Sequence, residues 1–284
     1  MANILSRIIR VGVLALVMLV PASPALAGAP HRFVVFGDSL SDPGNAFVLL
    51  RDVEIPPFDS LIPDAPYARG AFRARPEGPF DLSTQVGLFV RDFRGQGPSG
   101  ALYIVFAGGN DLRDALQALA LDPSGATSAA IVQAALIAIR DNLLTLYAAG
   151  ARHFLVPNAP DIGLAPAIRL LGPAAQGAAT FFAAQFNGGL ELTLRGLEAS
   201  LGVGIVRLDV FRTLNEIVAA PGAFGLTEVT QPCIALNTKR HAFCASPGKF
   251  LFWDGIHPTV AGHRILAERA DAALGAASVL AVAP

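Results

Sequence analysis

The chain has 284 residues, and its 21 Lys and Arg side chains nearly balance its 22 Asp and Glu side chains, for a formal net charge of −1 at pH 7. This length suffices for one large domain with a substantial core. The balanced charge does not resemble the basic footprint of a nucleic-acid-binding protein, so nucleic acid is not an expected partner.

Residues 1–27 have the pattern of a secretory signal peptide. Arg7 and Arg10 precede an apolar run over residues 11–20, and the small residues of "PASPALA" end at Ala27. The run is shorter than the roughly 20 residues that a membrane-spanning helix needs. We therefore predict cleavage after Ala27, a secreted or periplasmic protein, and a single mature domain over residues 28–284 without a transmembrane segment. An uncleaved N-terminal anchor is the alternative.

The mature part of the chain alternates short apolar runs with longer helical patterns. The runs of strand length cover residues 32–36, 101–108, 153–158 and 203–209. They are continuously apolar rather than alternating, which is typical of strands buried on both faces of a parallel sheet. Strands that alternate with helices predict an α/β domain, and in such domains the functional site lies at the carboxyl ends of the strands.

Three helical stretches and one irregular stretch complete this outline. A repeating apolar stripe predicts a helix over residues 128–150, and another pattern predicts a terminal helix over residues 259–274. Residues 172–202 are predicted to be partly helical. We interpret His263 as a packing histidine of the terminal helix whose hydrogen bonds are satisfied. The proline-rich stretch over residues 52–78 carries few helix signals, and long irregular segments of this kind are usually functional loops or lids.

Polar residues that an apolar core would not tolerate unpaired end or follow the strand-like runs. They are Ser39 in "GDSLS", Asn110 in "GGND", and the pair Asp254 and His257 in "WDGIHPT". The Asp-x-x-His spacing lets the carboxylate accept the Nδ1–H of the imidazole, which leaves the other ring nitrogen as a base. A nucleophilic Ser39 needs such a base. Its backbone N–H and the Asn110 amide are the candidate oxyanion donors.

Four motifs carry a resemblance to a known family. "FGDSLSD", "GGND", "VPNAPDIG" and "FWDGIHPT" stand in the order and spacing of the GDSL (SGNH) esterases and lipases, which the chain resembles over almost all of its mature length. The resemblance implies a flavodoxin-like three-layer α/β/α sandwich with a central parallel sheet. It also implies hydrolysis of small-molecule or lipid esters through an acyl-enzyme, without a metal or organic cofactor. The family roles make Ser39 the nucleophile, Asp254 and His257 its partners, and Asn110 an oxyanion donor.

One motif departs from the family pattern. The family usually carries a compact "GRFSNG" whose glycine supplies an oxyanion donor, whereas the matching region here reads "RGAFRARPEGPF". We align Gly78 with that donor because Pro79 and an aromatic residue follow it. Gly70 is the alternative.

The two cysteines lie close together in the sequence, in "QPCIALNTKRHAFCASP". In an exported chain, this spacing predicts a disulfide between Cys233 and Cys244. A metal site is the alternative, but it needs more nearby ligands than His241 alone supplies.

Three other functions are alternatives to ester hydrolysis. An acyltransferase uses the same triad with an alcohol in place of water. A non-catalytic carbohydrate-binding or surface-binding module on this scaffold is expected to lose triad members, and here all are present. A phosphate-binding flavodoxin-like protein binds its anion in the first βα loop, and it leaves the pair Asp254 and His257 without a role.

Overall fold

The computed structural model describes residues 32–41, 81–234 and 244–282. Within these ranges a parallel sheet has four strands in the spatial order in which they occur along the chain. The strands are β1 (Phe33–Gly37), β2 (Leu102–Phe106), β3 (His153–Pro157) and β4 (Ile205–Leu208). They coincide with the predicted apolar runs to within a few residues. Because all neighbouring pairs are parallel, the carboxyl ends of the four strands share one edge of the sheet.

Helices connect the strands and follow them. Those in the described ranges are α1 (Leu82–Asp92), α2 (Gly109–Leu121), α3 (Ala126–Ala148), α4 (Pro166–Arg169), α5 (Pro173–Leu201), α6 (Val210–Ala219) and α7 (Val260–Val282). The sequence predicted α3, α5 and α7, although α7 continues further than its apolar stripe and α5 is helical over almost all of the stretch predicted as partly helical. A separate pair of parallel strands is formed by β5 (Glu228–Pro232) and β6 (Phe250–Phe252).

Alternate side chains of the main sheet enter cores on its two faces. Tyr103 and Val105 belong to a large cluster that also contains residues of α1, α2, α3 and α5. Leu102 and Phe106 point to the other face, where Leu266 of α7 packs against their cluster. This alternation follows from the two-residue period of a strand. The result is the predicted three-layer α/β/α sandwich.

A third cluster lies beside the small sheet and brings α4, α6 and α7 together. It includes Ile168 of α4, Ile217 of α6, Leu251 of β6 and Ile265 of α7, all of them buried. This part of the fold positions β6, and the segment that follows β6 carries Asp254.

One helix among the described residues, α3, is long and apolar enough to cross a membrane by length and composition. Its residues Ile139, Leu143 and Leu146 are buried in the first cluster. The helix also packs against α1, α2 and α5. These contacts identify α3 as a core helix of the sandwich.

Candidate active site

Ser39 lies directly beyond the carboxyl end of β1, in a single 3₁₀ turn over Ser39–Ser41. The chain enters this turn through a close approach to β2. A Cβ atom at Gly37 would lie 2.0 Å from the carbonyl oxygen of Phe106, so glycine is required there. The Asp38 N–H donates to the same carbonyl at 3.2 Å. These contacts hold Ser39 at the sheet edge, where its side chain is exposed.

Asp38 joins the serine turn to the start of α2. Its carboxylate accepts the Leu40 N–H at 3.0 Å, and it lies so close to Gly109, the first residue of α2, that a Cβ atom there would be 3.3 Å from Oδ2. Burial raises the pKa of the Asp38 carboxyl, and the backbone N–H groups of Leu40 and Gly109 oppose the rise only in part. Asp38 therefore lies between the Ser39 turn and the helix that carries Asn110.

Asp254 and His257 lie in a tight loop between β6 and α7. Oδ1 of Asp254 accepts the N–H groups of Ile256 at 2.8 Å and of His257 at 2.7 Å. The loop closes through the Trp253 N–H, which donates to the His257 carbonyl at 2.7 Å. Turns in which an Asp carboxylate accepts the backbone N–H groups of the next few residues form from neighbouring residues alone. The Asp-x-x-His spacing is therefore enough to place the carboxylate under the imidazole.

The three side chains form one hydrogen-bonded line. His257 Nδ1 lies 2.7 Å from Asp254 Oδ2, and His257 Nε2 lies 2.8 Å from Ser39 Oγ. Asp254 is 3% exposed, so its charge acts with little solvent screening. Burial of the imidazole lowers the pKa of His257, but the hydrogen bond and charge of Asp254, together with the charge of Asp38, outweigh this effect and raise the pKa. The site therefore favours a positive charge on His257.

Asn110 is the second residue of α2 and is exposed at the same sheet edge. Gly108, two residues earlier, has a φ of 118°, which favours glycine. Its backbone also lies close to α5, because a Cβ atom at this position would be 2.4 Å from the Phe186 ring. Within the described part of the chain, no hydrogen bond engages the Asn110 amide or the Ser39 N–H. Ser39 and Asn110 line the same cavity.

Gly78 and its alternative Gly70 lie outside the described residues, so the third oxyanion donor stays a prediction. Residues 1–27 also lie outside them, as does the irregular stretch over residues 52–78.

A cavity opens beside Ser39 and His257. Asn110, Arg113 and Ile256 also contribute to its lining. Its remaining wall is formed largely by apolar residues of α4, α6, β6 and α7. The segment "PNAPDIG", expected to border the pocket, contributes Pro160 and Ile162.

Cys233 and Cys244 are joined by a disulfide. The Cys233 N–H donates to the Phe252 carbonyl at 2.9 Å, and the next residue, Ile234, donates to the Trp253 carbonyl at 2.8 Å. The disulfide thus lies against the strand end that leads into the loop of Asp254. The sequence between the two cysteines, including His241, lies outside the described residues.

The structure confirms the satisfied hydrogen bonds predicted for His263 but corrects its interpretation as a packed residue. This side chain is exposed on α7, with Nδ1 at 3.0 Å from the Thr259 carbonyl oxygen and Nε2 at 3.3 Å from that of Leu40. It contacts the turn of the candidate nucleophile. No sequence signal points to this contact, because Leu40 and His263 are distant along the chain.

Within the ranges that the structure describes, no group of three or more His, Cys, Asp or Glu side chains is placed to hold a metal ion. The chemistry open to the described residues is proton transfer at His257, nucleophilic attack by Ser39 and hydrogen-bond donation to an anion. A Ser–His–Asp line at the carboxyl edge of an α/β/α sheet is an arrangement typical of serine hydrolases.

Comparison with protein families agrees with this class. A family model described as GDSL-like Lipase/Acylhydrolase matches residues 33–270. The chain belongs to this family. The match begins in β1 and extends into α7, so it includes Ser39, Asn110, Asp254 and His257.

The individual relatives are similar to this chain at 30% to 33% identity. A GDSL esterase/lipase of Arabidopsis thaliana is 33% identical over 137 residues, which make up 43% of this chain and 38% of that protein. Another GDSL esterase/lipase of the same plant is 30% identical over 176 residues, 60% of this chain and 49% of that protein. An uncharacterized Pseudomonas putida protein from the trpE-trpG intergenic region is 30% identical over 198 residues, 65% of this chain and 30% of that protein. The matches span half or less of the length of these relatives.

Proposed function

We propose that the protein is an exported serine ester hydrolase that cleaves carboxylic esters through an acyl-enzyme on Ser39. The single observation that carries the proposal is the hydrogen-bonded line from Ser39 Oγ through His257 to Asp254, at 2.8 Å and 2.7 Å. Membership of the GDSL-like lipase/acylhydrolase family supports the same chemistry.

In the first half of the reaction, the Ser39 hydroxyl attacks the ester carbonyl while His257 Nε2 accepts the hydroxyl proton. The carbonyl oxygen becomes an oxyanion, and the Ser39 N–H and the Asn110 amide donate to it. His257 then returns the proton to the departing alcohol oxygen as the carbon–oxygen bond breaks, which leaves Ser39 acylated. Gly78 is our proposed third donor.

The second half repeats these steps with water. His257 Nε2 takes a proton from water, the resulting hydroxide attacks the acyl carbonyl, and the tetrahedral intermediate forms at the same donors. The proton then returns to Ser39 Oγ as the acid leaves. No step requires a cofactor. Asp254 Oδ2 accepts the Nδ1–H of His257 and stabilises the imidazolium that forms twice in each cycle.

The charges of the site suit this sequence of steps. Asp254 and Asp38 both favour protonated His257, and they raise its pKa despite burial. A more basic imidazole accepts the serine proton more readily. The start of α2 adds the positive end of a helix dipole close to Asn110, which favours a developing negative charge.

Hydrolysis of nitrophenyl butanoate by the purified mature protein tests the proposal. We expect Ser39→Ala to lower kcat by at least about 10³-fold, because a covalent route has no substitute nucleophile. Ser41→Ala is the matched control, since Ser41 lies on the same turn and its hydroxyl donates to the Asp38 carbonyl at 3.2 Å rather than to His257. Full activity of Ser39→Ala would contradict the proposal.

Export forms a further part of the proposal. The signal-like residues 1–27 and the Cys233–Cys244 disulfide support a location outside the reducing cytoplasm. In this proposal, residues 28–284 are the single mature domain and water is the acyl acceptor. Transfer to an alcohol is the related reaction, which adding an alcohol to the assay reveals as a second ester product.

A further inference from the structure

The turn that carries Ser39 has no buried side chain to anchor it. It consists of Ser39–Ser41, and Leu40 packs only partly against buried residues. Within the turn, the N–H and the hydroxyl of Ser41 donate to the Asp38 carbonyl at 3.1 Å and 3.2 Å. Segments with few buried contacts are held weakly by packing. The position of the turn at the sheet edge therefore depends on hydrogen bonds from neighbouring elements.

Gln85 of α1 bonds the backbone two residues before Ser39. Its Oε1 accepts the Gly37 N–H at 3.0 Å, and its Nε2 donates to the Gly37 carbonyl at 2.7 Å. The next residue, Asp38, instead donates its N–H to the carbonyl of Phe106 in β2. The N–H and carbonyl of Gly37 therefore face away from β2, and the Gln85 amide pairs with them as a neighbouring strand would.

The helix that carries Gln85 is itself firmly held. Val86 of α1 is 1% exposed in the first cluster. The ring of Phe89, also on α1, lies 5.4 Å from the ring of Phe36 in β1. A pair of hydrogen bonds from one planar amide restrains direction as well as distance. The two bonds thus tie the end of β1 to a fixed support.

His263 of α7 bonds the residue directly after Ser39. Its Nε2 lies 3.3 Å from the Leu40 carbonyl oxygen, and its Nδ1 lies 3.0 Å from that of Thr259. Because a carbonyl oxygen only accepts, the bond to Leu40 requires a proton on Nε2. The helices α7 and α1 pack on opposite faces of the main sheet. The serine turn is therefore held from both helix layers.

We propose that Gln85 and His263 are positioning residues that keep Ser39 Oγ within hydrogen-bond reach of His257 Nε2. The inference rests on the proposed function of Ser39. Neither residue touches the reacting atoms in this role, because both act through the backbone on either side of the serine. A displacement of about 1 Å in a reacting group can cost about 10²-fold in rate. The loss of either contact should therefore lower kcat more than it changes KM.

Substitution of Gln85 tests the contact that precedes the serine. Gln85→Met keeps the length of the side chain and removes both bonds. We expect kcat for nitrophenyl butanoate to fall about tenfold to 10²-fold while KM changes less than about twofold. Gln85→Glu, which keeps the acceptor and loses the donor, is the second variant should the first fail to fold, and it should also lower kcat.

Ser83→Ala is the matched control for Gln85. It removes a bond from the same helix to Asn142 of α3, at 2.9 Å, rather than a bond to the serine turn. We expect this control to lose stability in urea unfolding and to keep its kcat. A loss of kcat as large as that of Gln85→Met would show that only the stability of α1 matters, and it would overturn the proposal.

Substitution of His263 tests the contact that follows the serine. His263→Leu removes the donor to Leu40, whereas His263→Gln supplies an amide donor at a similar distance from the helix. We expect His263→Leu to lower kcat about tenfold and His263→Gln to restore most of it. Arg264→Gln is the control on α7, because it removes only a surface bond to Glu268, at 2.7 Å. Equal losses in the Leu and Gln variants would contradict the role of this donor.

The double variant Gln85→Met with His263→Leu tests whether both contacts restrain one turn. Two substitutions that act on the same element are coupled, so the combined loss of kcat should differ from the product of the two single losses. A simple product would show that the contacts act separately, and it would overturn the arrangement in which both helix layers hold the turn.

Crystal structures of the variants keep the test independent of hydrolysis. In Gln85→Met we expect Ser39 Oγ to lie farther from His257 Nε2 than the 2.8 Å of the wild type, and in Ser83→Ala we expect no change. If the wild type hydrolyses no ester but the serine moves in Gln85→Met, the proposed reaction fails while the positioning role stands. A lower kcat with an unmoved serine would refute the positioning role.

Discussion

His257 is the residue at which most of the site's interactions meet. It faces Ser39 on one side and Asp254 on the other, and its backbone N–H and carbonyl close the loop that carries it. The buried carboxylate of Asp38 adds a second negative charge. The protonation of His257 should therefore respond strongly to the removal of either the Asp254 or the Asp38 carboxylate.

Replacing Asp254 with Asn tests this electrostatic assignment. A general base works in its neutral form, so kcat/KM falls as the pH drops through the pKa of His257. In the wild type we expect this acid limb above the ordinary value of 6.5, because the pKa is raised. Asp254→Asn removes the hydrogen bond and the charge that raise it, so the limb should move to lower pH and the plateau should fall by up to about 10⁴-fold.

The acid limb is measured from the pH dependence of kcat/KM for the wild type and for Asp254→Asn. Asp271→Asn is the control, because it removes an exposed carboxylate on α7. An acid limb that stays in place in Asp254→Asn would show that this carboxylate does not set the pKa of the base.

The amide of Asn110 is the second residue-scale test. Its proposed contact forms with the oxyanion rather than with the ground-state ester. We therefore expect Asn110→Ala to lower kcat by roughly 10²- to 10³-fold with little change in KM. Steady-state kinetics on a single nitrophenyl ester separates the two constants. A change confined to KM would assign Asn110 to substrate binding instead.

At the scale of elements, the disulfide and the small sheet support the loop of Asp254. Cys233 continues β5 and bonds β6 at Phe252, while the Cys244 N–H donates back to the Cys233 carbonyl at 2.7 Å. The crosslink therefore secures the segment beside the strand that leads to Asp254.

Removing this crosslink should affect both stability and rate. For a loop of this length, replacing both cysteines with Ala should lower the free energy of unfolding by about 3 kcal/mol. It should also lower kcat, because a shift of about 1 Å in a catalytic group can cost about 10²-fold in rate. Urea unfolding and steady-state kinetics measure the two effects, and thiol counting on the untreated wild type checks the bond. Two free thiols would contradict the disulfide, whereas lower stability with full activity would contradict only its link to the site.

The sequence allowed some elements to be predicted and not others, for physical reasons. The strands β1 to β4 are continuous apolar runs because both of their faces are buried, and this pattern is easy to recognise. The strand β6 has only three residues, and β5 contains Glu228, Thr230 and Gln231. β6 is apolar throughout but too short to be recognised as a strand, and β5 is mostly polar. Both pack beside the cluster that contains Leu251.

At the scale of the whole molecule, the candidate site joins residues 218 positions apart, Ser39 and His257. Their residue types and motif contexts were enough to name them, because few core positions tolerate such groups without a partner. The cavity could not be predicted in this way. Its wall collects single apolar residues from α4, α6, β6 and α7, and each alone looks like an ordinary core residue.

Export is the prediction that concerns the whole chain. If residues 1–27 are a cleavable signal, the protein recovered from the periplasm or medium of an expressing bacterium should begin at Gly28. N-terminal sequencing of that protein is the measurement. Recovery of the intact chain in the membrane fraction would favour the uncleaved anchor.

Covalent labelling by a fluorophosphonate probe tests the central claim most directly, because it reports the activated serine without any choice of ester. The intact mass of the mature protein should increase by one adduct, and peptide mapping should find that adduct on Ser39. Ser39→Ala should remain unlabelled, and His257→Ala should react far more slowly because its serine has lost the base. An adduct on another residue, or equal labelling of wild type and Ser39→Ala, would contradict the assignment of Ser39 as the nucleophile.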